Sequence, residues 1–71
     1  MKKTYKIEVD CANCAAKMEN KIKSLDGIND VIINFMTQKL IIDFTDTADV
    51  ESVMQSVLKT CKKIERDVVI K

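Results

Sequence analysis

Thr4-Tyr5-Lys6-Ile7-Glu8-Val9-Asp10-Cys11-Ala12-Asn13-Cys14-Ala15-Ala16-Lys17-Met18 changes its hydrophobic period part-way along. Up to Val9 the period is two: Tyr5, Ile7 and Val9 face one way, Lys6 and Glu8 the other, as in a half-buried strand. From Cys14 it becomes that of a helix, with Cys14, Met18, Ile22 and Leu25 at steps of four, four and three. Glu19 and Lys23 stand in the favourable i, i+4 order on the polar side. Gly27, the only glycine, comes just after Leu25-Asp26 and reads as the helix stop.

The same alternation of periods continues to the end of the chain. Ile28 to Phe35 is rich in β-branched residues, with Val31, Ile33 and Phe35 set against Ile32 and Asn34. Met36 to Lys39 reads as a connection, and Leu40, Ile42 and Phe44 resume the alternation, which together predict a hairpin. Asp46 or Thr47 is expected to cap a second helix whose stripe is Val50, Met54, Val57 and Cys61, with Val53 beside it. Ile64 and then Val68 to Ile70 read as a last strand. The order strand, helix, strand, strand, helix, strand predicts an α+β fold. It is a ferredoxin-like βαββαβ sandwich, with both helices on one face of a four-stranded antiparallel sheet.

At 71 residues the chain is expected to be one domain spanning 1–71. A domain of this size buries only about 60% of its unfolded surface, so its core is thin. A net charge of +1 gives no reason to expect nucleic acid or an anionic membrane as partner. No apolar run approaches the ~20 residues of a membrane span. The basic Met1-Lys2-Lys3 leads into a stretch broken by Lys6, Glu8 and Asp10, so no signal peptide is expected. Three cysteines without a framework spacing suit the reducing cytoplasm.

The chemistry concentrates at Cys11-Ala12-Asn13-Cys14, a dithiol at a strand-to-helix junction. Unpaired N–H groups and the helix dipole favour thiolate there. A two-residue spacer lets both sulfurs turn to one point, which suits a soft or borderline cation such as Cu(I), Zn(II), Cd(II) or Pb(II). A thioredoxin-like redox pair would ordinarily bring a cis-proline, and this chain has no proline. A structural zinc site needs four protein ligands, commonly Cys and His; there is no His and only one further cysteine. Packing as small hydrophobes accounts for Cys14 on its stripe but leaves Cys11 unexplained.

These residues resemble the heavy-metal-associated domain, the small ferredoxin-like module of copper chaperones and of the N-termini of metal-transporting P-type ATPases. The resemblance covers essentially the whole chain. It rests on Asp10-Cys11-Ala12-Asn13-Cys14-Ala15-Ala16-Lys17-Met18-Glu19, Leu25-Asp26-Gly27-Ile28, Ile33-Asn34-Phe35 and Lys39-Leu40-Ile41-Ile42. It implies that Cys11 and Cys14 bind one metal ion near the surface and pass it on by ligand exchange. Copper-type members usually carry Gly-Met-Thr before the first cysteine, whereas Glu8-Val9-Asp10 stands here. An Asp at that place resembles the zinc, cadmium and lead exporters, in which the carboxylate joins the metal. Zn(II) prefers four ligands and accepts a carboxylate oxygen, and added negative charge favours a divalent ion.

Three positions keep two readings each. Asp10 is a ligand or a helix cap. Cys61 packs on its stripe or, as the resembling fold implies by bringing the loop after the second helix close to the metal loop, supplies a third thiolate suited to Pb(II) or Cd(II). Lys62 offsets thiolate charge, as the resemblance implies, or is simply solvated. Met18 reads as core, Met36 as part of the hairpin connection, and Lys17, Lys21 and Lys23 as a solvated face that could dock an acidic partner. The resulting expectation is a monomeric, cytoplasmic, non-catalytic domain. It takes Zn(II), Cd(II) or Pb(II) through Cys11, Cys14 and Asp10 for a membrane P-type ATPase, in cis or in trans. Cu(I) carriage is the alternative, and no nucleophile with a base and orienting group is present to suggest an enzyme.

Overall fold

A computed structural model describes all residues, 1–71. The elements are β1 (Lys2–Glu8), α1 (Ala12–Lys23), β2 (Ile28–Asn34), β3 (Lys39–Phe44), α2 (Val50–Ile64) and β4 (Val69–Ile70). The strands form one antiparallel sheet in the order β2-β3-β1-β4. Both helices cover one face of it, the ferredoxin-like arrangement the order of periods predicts.

The core is the meeting of the alternating strand faces with the two helical stripes. Ile7, Val9, Val31, Leu40, Ile42 and Phe44 point from the sheet into Ala15, Met18 and Ile22 of α1 and Val57 and Cys61 of α2. All twelve buried residues are apolar, so no polar group inside needs a partner. At ~25 cal/mol per Å² of apolar surface removed from water, burial of each large side chain contributes about 1.5–3 kcal/mol. A register shift between Ile28 and Asp30 lets Ile28 and Val31 both face inward despite their odd spacing.

Several boundaries differ from the sequence reading. Strand β1 starts at Lys2, because its pairing with Asp43 of β3 recruits polar residues that show no apolar alternation. Helix α1 begins two residues before Cys14 and ends at Lys23. Leu25 therefore lies past the helix, half-buried. Gly27 serves the turn into β2 at a φ of 88° instead of the helix end itself. The N-cap of α2 is Asp49, not Asp46 or Thr47, and the hydroxyl of Ser52 donates to its carboxylate at 3.1 Å. Ile64 closes α2 instead of opening β4, and Val68 is buried just ahead of the strand.

Glu19 and Lys23 do not pair with each other. β2 lies at the sheet edge, and Glu19 accepts the backbone N–H of Ile33 at 2.9 Å while Lys23 reaches Asp30 at 3.9 Å. Both contacts run from α1 to the exposed strand, and the first satisfies a donor that an intruding strand would otherwise take.

Candidate metal centre

Antiparallel pairing brings three connections to one end of the sheet. β1 ends at Glu8 beside Val69, so the turn from Glu65 to Val68 lies next to the segment that leads into α1. On its other side β1 reaches the hairpin tip, where the N–H of Ile7 donates to the carbonyl of Gln38 at 3.1 Å. The Asp10–Cys14 segment emerges at this shared end.

Cys11 is the N-cap of α1, extended at φ −129° and ψ 122°. Its sulfur accepts the backbone N–H of Cys14 at 3.2 Å. Asp10 is therefore not the cap: the capping role read for it belongs to Cys11, and its carboxylate stands exposed just before the helix. Both motif cysteines are half-buried, whereas Cys61 is fully buried in the core. Of the two readings of Cys61, packing is the one its position matches.

The thiols of the pair are electrostatically unequal. Hydrogen bonds from the Cys14 thiol and then from the Cys14 N–H hold the Cys11 pKa below the ordinary value. The Cys14 thiol is raised, first by that hydrogen bond to Cys11, then by partial burial and the adjoining Cys11 charge. Cys61 is pushed up to about 11 by burial. Cys11 is thus the more readily ionised thiol of the pair.

Two charged side chains act on the pair. Lys17, one turn after Cys14, lowers the Cys14 pKa, and Glu65 raises both thiols. The spacing of Lys17 from Cys14 in the sequence would have revealed the first. Nothing local reveals Glu65, which reaches the site only because β4 folds back beside β1. Lys62 is exposed on α2 and has no part in these shifts. No group of three or more Cys, Asp or Glu side chains stands gathered in a ready cage; Cys11 and Cys14 are brought together and Asp10 adjoins them along the chain.

The profile of the heavy-metal-associated domain matches residues 4–67. The chain belongs to this family. Among curated relatives, the zinc/cadmium/lead-transporting P-type ATPase of Escherichia coli is 45% identical over 49 residues, 66% of this chain and 7% of the relative. The cadmium, zinc and cobalt-transporting ATPase of Bacillus subtilis is 33% identical over 72 residues, 100% of this chain and 10% of the relative. This heavy-metal-associated chain thus spans about a tenth or less of the relatives it matches. Among solved structures, the N-terminal domain of ZntA in the apo form superposes with a TM-score of 0.68 at 30% identity, over 99% of this chain and 88% of that one. The N-terminal domain of a potential copper-translocating P-type ATPase from Bacillus subtilis superposes with a TM-score of 0.75 at 22% identity, over 99% and 82%. The second likeness speaks for the fold alone.

Proposed function

We propose that this heavy-metal-associated domain takes a Zn(II)-class divalent ion, Zn(II), Cd(II) or Pb(II), as cargo through Cys11, Cys14 and Asp10. It delivers the ion to a membrane metal-exporting P-type ATPase, in cis or in trans, or senses the ion for it. The reading makes 1–71 a single domain that acts as a monomer in the cytoplasm. The observation that carries it is the adjoining of two half-exposed thiols at a helix N-terminus while the third cysteine is sunk in the core. An open pair of this kind binds at the surface and leaves coordination positions for an incoming ligand, which exchange requires. The carboxylate of Asp10, one residue from Cys11, supplies oxygen and negative charge suited to a divalent ion. The named cargo of the relatives from Escherichia coli and Bacillus subtilis supports this class.

Cu(I) carriage is the second reading. Two adjoining thiols with no third ligand gathered beside them satisfy a two-coordinate Cu(I). Titration of the reduced protein with Cd(II) tests the main reading: a thiolate-to-metal absorption band should saturate near one equivalent and vanish in Cys11→Ser/Cys14→Ser. Competition between Zn(II) and Cu(I) separates the two cargoes. Preference for Zn(II) that is lost in Asp10→Ala supports the carboxylate as ligand. Selectivity for Cu(I) in both proteins would overturn the divalent reading.

A further inference from the structure

We infer that Gln38 is a positioning residue for the dithiol: its side chain stands in for a missing strand partner and fixes where the metal loop leaves the sheet. This rests on the reading of Cys11 and Cys14 as metal ligands.

Gln38 is the one residue other than glycine with a positive φ, 54°. A side chain in the left-handed region is disfavoured, and glycine would relieve it. An amide retained there calls for an explanation in what it holds. It holds two backbone groups at once. Its Oε1 accepts the N–H of Val9 at 2.9 Å, and its Nε2 donates to the carbonyl of Phe35 at 2.8 Å. A donor on one side and an acceptor on the other fix the amide in a single orientation.

The bond to Val9 falls where the sheet runs out. β1 pairs with β3 only as far as Lys6 opposite Lys39, and the carbonyl of Gln38 then takes the N–H of Ile7. Beyond that point the neighbouring chain has turned into the hairpin, and Val9, 2% exposed, has no strand to bond. The Gln38 amide replaces that strand and carries the ladder forward to two residues before Cys11. The tip that presents it is itself braced, because the Asn34 carboxamide oxygen accepts the N–H groups of Met36 and Thr37 at 3.1 and 3.2 Å. Val9 is thus tied to a rigid frame, and the bond from Cys14 N–H to the Cys11 sulfur starts from a fixed strand end. Outer partners of this kind orient metal ligands without touching the metal.

Gln38→Gly separates positioning from stability, because it removes the amide and relieves the left-handed backbone together. The melting temperature should stay within about 5 °C of wild type. Cd(II) affinity, from competition with a chromophoric chelator, should fall about tenfold. In metal-free protein, amide exchange should quicken at Cys14 as well as at Val9. Gln38→Glu, which keeps an acceptor for Val9, should recover most of the protection at Cys14. Gln38→Asn, which tolerates the left-handed backbone but is too short to reach Val9, should lose protection and affinity as Gln38→Gly does, and it carries the test should Gln38→Gly fail to fold. Exchange that quickens at Val9 alone, with Cd(II) affinity within twofold of wild type, would reduce Gln38 to a hairpin residue and overturn the proposal. If wild-type protein takes up no Cd(II), the functional reading fails separately, and exchange at Cys14 alone decides whether Gln38 positions the loop.

Discussion

The backbone N–H of Cys14 donates to the sulfur of Cys11 at 3.2 Å, so the first thiol of the pair caps the helix that carries the second. Ser, Thr, Asp and Asn usually hold this place with oxygen. Here the cap and the proposed metal ligand share one atom, and Cys11→Ser keeps an N-cap acceptor while removing the sulfur. The fold should therefore tolerate Cys11→Ser with a stability change under about 1 kcal/mol. Cys11→Ala, which loses the cap as well, should cost about 1 kcal/mol more by chemical denaturation.

The three thiols should react in order. Cys11, held below the ordinary value by its hydrogen bonds, should be alkylated first by iodoacetamide near neutral pH. Cys14 should react more slowly, and Cys61 only as the protein unfolds. Peptide mapping after timed quenching measures the order, and early labelling of Cys61 would contradict its place in the core.

Glu65 raises both motif thiols through its negative charge. Replacing it by Gln should let both ionise at lower pH and speed alkylation of Cys11 at a fixed mildly acidic pH. High salt should shrink the difference between the two proteins, since part of the interaction passes through solvent. An identical rate in Glu65→Gln at low salt would remove Glu65 from the site.

Burial of Cys61 makes stability depend on alkaline pH. In the unfolded chain its thiol ionises near the usual ~8.5, whereas in the fold it is pushed up to about 11. Between those values the unfolded state binds fewer protons, so the contribution to stability is complete below the lower value. It is lost as pH rises through the window. Urea melts from pH 8 to 11 should show a decline that is shallower in Cys61→Ala. Parallel curves for the two proteins would refute this account.

Gly27 carries the turn into β2 at a φ of 88°, and a Cβ there would lie 2.9 Å from Val53 Cγ2 and 3.3 Å from the Ala48 Cβ. Backbone strain and the clash with α2 act together. Gly27→Ala should destabilise by about 2–3 kcal/mol. The thiols lie at the opposite end of the sheet, so metal stoichiometry should survive in the folded fraction.

Most of the fold was legible because periods of two and 3.6 are local properties. Tyr5, Ile7 and Val9, then Met18 and Ile22, and later Val57 and Cys61 all face the core as their spacing implies. What the spacing missed was settled between distant segments. Lys2 joins β1 because Asp43 is there to pair with it, Asp49 caps α2 through chain geometry, and Glu19 turns to Ile33 because β2 is an edge. The same holds at the site. Cys11 and Cys14 were visible as a spaced pair, and Lys17 could have been. Glu65 and Gln38 reach the segment around Cys11 from 54 and 27 residues beyond it, respectively, and only the sheet's topology brings them near.

The capping bond at Cys11 also bears on how fast cargo could leave. A sulfur that shares its electron density with an amide proton is a weaker base and a softer grip on a cation. Affinity given up in this way lowers the barrier to an incoming ligand. A helix terminus capped by the sulfur of Cys11 is already formed before any ion arrives. On the proposed reading, loading would then need no refolding of the helix start, and the turnover of cargo would be paced by sulfur exchange.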